Sequence, residues 1–152
     1  MALISFGWTT AAFCNRAKNV TRRNWSPEYA DTMAIGNYIN AFDRQPNYGG
    51  KQIGIVRLTA TPYLEDIQDM PEVDYAGEGF EFYDQHPELT PKKFLQVFQE
   101  TGSKNFREYF DFARSDRGAS LWGKSSLYVV RFEIVTLTSH ASTCKLKELS
   151  HG

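Results

Sequence analysis

The stretch NRAKNVTRRNW, Asn15 to Trp25, sets a lysine, a threonine and two adjacent arginines in a short window that ends on a tryptophan. Val20 and Thr21 branch at Cβ, which favours extended backbone, so the window reads as a short strand entered from Lys18. Side chains alternate along a strand. Asn19, Thr21, Arg23 and Trp25 therefore share one face, and Lys18, Val20 and Arg22 the other. Lys18 stands at the strand's start, and its long stem can swing toward Thr21. Two readings stay open. An ammonium, a hydroxyl and a guanidinium converge on something small and electron-rich, or the window is a solvated basic edge whose lysine deters aggregation.

Before the window, Leu3–Phe6 reads as a first strand, and Thr9 or Thr10 can cap a short helix ending near Asn15. After it, Ser26-Pro27-Glu28 starts a helix running to about Met33 and closed near Gly36. Tyr38–Asp43 has strand composition, and a turn follows at Pro46–Gly50. Asp43 and Arg44 follow that strand and either edge the cleft or, as the cheaper explanation, form a salt-bridged turn. Lys51–Tyr63 is the clearest strand, with Ile53, Ile55, Arg57, Thr59 and Thr61 on one face and Gly54, Val56, Leu58 and Ala60 on the other.

A short helix opens at Met70-Pro71-Glu72 and runs to Ala76. Glu78 falls at its exit between Gly77 and Gly79, which free the backbone to bring that carboxylate close to a partner. Phe80–His86 is aromatic-rich. Helices follow from Thr90-Pro91 and over Asn105–Arg114, their aromatic stripes facing a core. Ser115–Lys124 reads as a polar turn holding Trp122. Leu127–Leu137 is the last strand. Its clean core face is Tyr128, Val130, Phe132, Ile134 and Thr136, with Leu127, Val129, Arg131, Glu133 and Val135 opposite. Long strands separated by a helical block, without regular strand–helix alternation, point to an α+β fold with a small mixed or closed sheet. The chain reads as one domain, 1–140, with a polar tail over 141–152.

The chain has 152 residues and a net charge of -1, so no global field attracts nucleic acid or membrane. Charge is uneven, however. Residues 1–60 hold seven Lys/Arg against three Asp/Glu, whereas 61–90 hold nine Asp/Glu and no Lys or Arg. The acidic run reads as a solvated face. Cys14 and Cys144 lack metal spacing, so Cys14 is expected as a buried free thiol in a reducing, cytoplasmic setting. No export leader or membrane span is evident. His86, His140 and His151 have no ligand spacing, and no metal or other cofactor is expected.

Lys18-x-x-Thr21-x-Arg23, followed by a turn at Gly36, resembles the signature of the ASCH family in the PUA-like superfamily. Ile53–Thr61, Ala76-Gly77-Glu78-Gly79-Phe80 and Tyr128–Val135 are similar to later family segments in the same order, so the likeness covers residues 3–80 and 126–137. It implies a small PUA-like β-barrel flanked by helices, here with a helical insertion before the last strand. It also implies a cleft beside the barrel and RNA or a nucleoside or nucleotide as partner. In motif the chain resembles the amidohydrolases that deacetylate N4-acetylcytidine. That implies a catalytic set of Lys18, Thr21 and Glu78. The family's glycine two positions before the lysine is replaced by Arg16, which implies a different loop path.

Chemically, Thr21 needs a base to act as nucleophile, and Lys18 can serve if burial or Arg22 and Arg23 lower its pKa. Glu78 can protonate the leaving amine or orient it. Arg22 and Arg23 are the candidate substrate-binding cations, Arg23 for a phosphate or an oxyanion. Trp8 and Trp25 either stack on a base or belong to the core. The leading expectation is a hydrolase, amidohydrolase-like or a ribonuclease. The alternatives are a non-catalytic RNA or nucleotide binder using the same basic cleft, and an interaction module built on the acidic 65–88 stretch.

Overall fold

The computed structural model describes residues 2–121 and 126–138. The first half runs β1 (Leu3–Ser5), α1 (Thr10–Cys14), β2 (Val20–Arg23), α2 (Pro27–Ala30), β3 (Tyr38–Phe42), β4 (Gln52–Leu58) and β5 (Tyr63–Asp66). A helical block follows: α3 (Asp74–Gly77), α4 (Phe80–Gln85), α5 (Lys92–Thr101), α6 (Phe106–Ala113) and α7 (Asp116–Leu121). The long strand β6 (Ser126–Leu137) closes the described chain.

The sheet order is β1-β3-β4-β6-β2, with β5 also paired to β6. β1 lies parallel to β3, and the remaining pairs are antiparallel. β6 organises the sheet. Its first half holds β2 and β5, and from Phe132 to Leu137 it pairs with β4. The result is an α+β fold with a curled half-barrel sheet flanked by helices, the helical block inserted before the last strand. β1 and β2 form the two ends of the strand order, and Arg23 of β2 reaches the Ser5 carbonyl of β1 at 2.7 Å.

Two cores result. One lies on the sheet, around Phe6, Phe13, Ile39, Val56, Leu58 and Phe132. The other is aromatic and belongs to the helical block, around Phe80, Tyr83, Phe94, Phe106 and Phe110. β6 serves both, so its expected division into one core face and one outer face does not hold. Val129 and Val130 are both fully buried, and Leu127 packs against the helical cluster. The extra residue Val135 then shifts the register, leaving Thr136 exposed while Leu137 packs on the sheet core.

Other expectations are corrected locally. The single strand over 51–63 is two, β4 and β5, on the same edge of β6. Pro62 explains the break, because it has no N–H to donate to a ladder. The polar turn expected after Ser115 is instead α7, whose Gly118 N–H is received by the Ser115 hydroxyl at 3.2 Å. Trp122 lies outside the described residues. α2 stops at Ala30, and the Thr32 hydroxyl donates to the Tyr29 carbonyl at 2.6 Å. The Thr9 hydroxyl does not cap α1 but donates back to the Phe6 carbonyl at 2.9 Å.

Cys14 is buried but disulfide-bonded, which corrects the free thiol and removes the argument for a reducing compartment. A single bridge needs no framework of spaced pairs. No helix of the described residues is long and apolar enough to cross a membrane. The tail over 141–152 lies outside those residues.

Candidate functional site

Glu78 reaches β2 because of the glycines beside it. The Asn19 N–H donates to the Gly77 carbonyl at 2.9 Å, so α3 lies flush on the strand. A Cβ at Gly77 would stand 2.5 Å from Asn19 Oδ1 and 2.9 Å from Val20 Cγ1. Gly79, at φ 98°, then turns the chain into α4. Gly77→Ala is expected to lower folding stability by about 1–3 kcal/mol through overpacking. Urea denaturation reads this directly, and an unchanged midpoint would refute the flush-packing account.

From that junction a charge network spreads across β2. Lys18, 3% exposed, donates its ammonium to the Glu78 carbonyl at 2.7 Å and to Glu78 Oε1 at 3.4 Å. Arg22 donates to Glu78 Oε2 at 2.6 Å, to Glu65 Oε1 at 2.7 Å and to Asp74 Oδ2 at 2.6 Å. Asp74, 1% exposed, also receives Arg131 through both carboxylate oxygens, at 2.9 and 2.8 Å. Thr21 is buried, and its Oγ1 accepts from Arg23 Nε at 3.2 Å. The Arg23 guanidinium sits 5.7 Å from the centre of the Phe6 ring.

Burial pushes the Lys18 amine down to about 8; Glu78 pulls the other way, while Arg23 and Arg22 add to the fall. Burial alone would raise the Asp74 carboxyl, but hydrogen bonds from Arg131 and Arg22 outweigh it and hold the group below its ordinary value. Arg22 is likewise disfavoured by burial, yet Glu78, Glu65 and Asp74 together raise it above the usual guanidinium range. Arg22 and Asp74 are therefore fixed charges near neutral pH. Lys18 is the amine that titrates close to it.

Lys18, Thr21, Arg22, Arg23, Glu78 and Trp8 all line one cavity of about 580 Å³. Its apolar wall includes Phe6, Phe80, Phe94 and Tyr109. Trp8 sits within the aromatic cluster, stacked on Phe106 at 5.4 Å, while also facing the hollow. Thus the three expected catalytic residues share a hollow, although no hydrogen bond joins Thr21 to Lys18 among the described residues. Trp25 is not part of the lining. It packs against the sheet core, edge-on to Tyr29 at 5.0 Å.

Sequence reasoning missed Glu65, Asp74 and Arg131. The first two sit in the run read as a solvated acidic face, yet with Glu78 they turn inward onto β2 and β6. Glu72, by contrast, stays exposed and pairs with Arg107 and Arg114. Arg131 carried a readable signal, since a guanidinium inside the apolar run LYVVRFEIV needs a partner. Among the described residues no group of three or more His, Cys, Asp or Glu is arranged to hold a metal ion. His86 lies near Glu88, and His140 and His151 fall outside the described residues.

No protein-family model matches the chain, and no curated protein does. Among solved structures the chain is similar to a protein of Enterococcus faecalis V583 described by the family model DUF984. Identity is 17%, the match covers 90% of this chain and 77% of the other, and the TM-score is 0.48.

Proposed function

We propose that the cavity is a hydrolase site of the ASCH type, removing an acyl group from the exocyclic amine of a modified nucleobase. The observation that carries the reading is the shared lining of Lys18, Thr21 and Glu78, with the Lys18 amine pushed down to about 8. The Lys18-x-x-Thr21-x-Arg23 spacing and the Gly-Glu-Gly junction support it as family-like features. Arg16 supports it too. It stands where the family has glycine and takes φ 58°, the left-handed region a glycine would favour.

In this reading Thr21 Oγ attacks the acyl carbon as neutral Lys18 takes its proton, and a carbon–oxygen bond forms. The oxyanion is met by the Arg23 guanidinium. Collapse breaks the carbon–nitrogen bond, and the Lys18 ammonium returns the proton to the leaving amine. Water, activated by the same amine, then hydrolyses the acyl-threonine. A rotamer change of the Lys18 stem, or one bridging water, brings amine and hydroxyl together. Glu78 accepts hydrogen bonds from Lys18 and Arg22, so it orients the amine rather than supplying the proton.

Charge balance favours a neutral ring in this hollow. Arg22 is already held by three carboxylates, and aromatic groups form much of the wall. The test is acetate release from N4-acetylcytidine, with single-stranded RNA as a second substrate, by the wild type and Lys18→Ala. Release is expected from the wild type and lost in the variant. No release from either substrate, or release indifferent to Lys18, overturns the reading.

A further inference from the structure

Lys18, Arg22 and Arg23 all line the cavity, and of these Arg23 alone has no carboxylate partner among the described residues. A guanidinium has five N–H bonds to place. Nε of Arg23 donates to Thr21 Oγ1 at 3.2 Å and Nη2 to the Ser5 carbonyl at 2.7 Å, both neutral oxygens, and Nη1 donates to nothing among the described residues. Thr10 Oγ1 and Arg22 Nε are unpartnered too, but both are sealed from solvent, whereas Arg23 Nη1 stays accessible.

A half-buried charge without a counter-ion is unfavourable. Burial pulls the Arg23 guanidinium below its ordinary value, and attraction from Glu78 only partly offsets the fall. The Phe6 ring, 5.7 Å away, gives a weak contact. Lys93 also lines the cavity and adds positive charge, against Glu78 as the carboxylate of the lining. The hollow therefore calls for an anion. The neighbouring groove does not, because its Arg44 and Lys51 are exposed and Asp43 and Glu88 share its lining. Asp43 Oδ1 accepts the Lys51 backbone N–H at 2.7 Å, and among the described residues Asp43 and Arg44 neither edge the cavity nor form the expected salt bridge.

We infer that the acyl group removed in this cavity is itself anionic, the half-amide of a dicarboxylic acid whose free carboxylate rests on Arg23 Nη1. The inference rests on the reading proposed above for the cavity. Position decides which part of the substrate carries the charge. Nε and Nη1 of one guanidinium stand about 2.3 Å apart, so Nη1 lies within about 5.5 Å of the attacking Thr21 oxygen. An acyl chain with about two methylenes before its carboxylate spans that gap. A 5′-phosphate is instead separated from the scissile amide by the ring and the sugar. Nε can meet the oxyanion while Nη1 holds the carboxylate, so one side chain serves both charges. The reaction balances as before. The carbon–nitrogen bond breaks, water leaves its hydroxyl on the acyl carbon, and its proton goes to the leaving amine, giving a dicarboxylic acid and the free nucleobase amine.

The experiment compares amide cleavage of N4-succinylcytidine, its neutral methyl ester, N4-acetylcytidine and N4-acetylcytidine 5′-monophosphate by the full chain and by Arg23→Gln and Arg23→Lys. In the wild type, kcat/KM for the succinyl compound is expected to exceed that for its methyl ester by about tenfold or more, as charge-assisted hydrogen bonds do. That ratio is expected to fall toward one in Arg23→Gln and to recover in part in Arg23→Lys, which keeps a point charge. The ratio is internal to each protein, so lost stability or lost oxyanion stabilisation does not mimic the result. Equal cleavage of acid and ester by the wild type overturns the inference and leaves the hydrolase reading standing. A preference for the acid that survives in Arg23→Gln overturns the assignment to Arg23. An Arg23-dependent advantage of the monophosphate over N4-acetylcytidine, with none for the succinyl compound, moves the anion to the phosphate and overturns the inference. Cleavage of none of the four overturns the hydrolase reading and the acyl assignment with it.

Discussion

Lys18→Met is expected to lower kcat/KM by about 10²–10⁴-fold, the range for loss of a general base. Burial lowers the amine from 10.5 to about 8, so near neutral pH the folded state carries a charge it disfavours. The unfolded chain binds more protons than the folded one between those two values, so this group's contribution to stability rises with pH across that window. Below about 8 that penalty is fully present; methionine removes it but also leaves the buried Glu78 carbonyl and carboxylate without the ammonium that donates to them, so the two effects oppose each other in stability. Activity depends on the same shift in the other direction. Base catalysis needs the neutral amine, so kcat/KM should climb as pH rises toward about 8 and level off above it. Lys18→Arg keeps a charge at this position but cannot deprotonate, and is expected to be as inactive as methionine. A residue serving only structure would leave no mark on the pH profile. Wild-type activity flat across about pH 6–10, or a Lys18→Met protein as active as the wild type, would remove Lys18 from the base role.

The parts of this site legible in advance were those written in local backbone chemistry. Val20 and Thr21 announce β2 by their branching, and Gly77 and Gly79 announce a junction that delivers Glu78. The charge network was not legible, because its partners come together only in the folded chain. Arg22 meets Glu65 from 43 residues away and Asp74 from 52, and Arg131 meets Asp74 from 57. In one dimension Asp74 is another acid in an acidic run, and the cheapest reading of such a run is a wet surface. The bulge at Val135 was invisible for a related reason. Alternation assumes that every residue advances the face by one step, and an inserted residue reverses all that follow. The double burial of β6 required knowing that the helical block folds over its second face. Of its two open readings Trp25 takes the core one, because β2 ends at Arg23 and the strand face does not continue to it.

Asp74→Ala is the substitution expected to cost most in stability, on the order of 3–5 kcal/mol, because it leaves buried cations short of their shared acceptor. Arg22 loses one of its three carboxylates, and Arg131 loses both of its charged contacts and keeps Tyr63 at 3.0 Å. Asp74→Asn retains an oxygen acceptor but not the charge, so it should recover part of the loss. The pH dependence has a definite sign. The Asp74 carboxyl titrates below its ordinary value of 3.8 in the folded protein, so its contribution to stability is complete above that value and is lost as pH falls through the depressed one. Urea midpoints measured from about pH 2 to 7 should show the wild type and Asp74→Asn converging in acid and separating above about pH 4. The consequence reaches the site along a chain of contacts in which Asp74 holds Arg22, Arg22 holds Glu78, and Glu78 holds Lys18. An Arg22 no longer shared with Asp74 draws more strongly on Glu78, which then does less to hold the ammonium form of Lys18. The rising limb of the Asp74→Asn activity profile is therefore expected to move to lower pH. An Asp74→Ala protein within about 0.5 kcal/mol of the wild type, the range of an ordinary surface change, would mean that the network is not what ties α3 to β2 and β6.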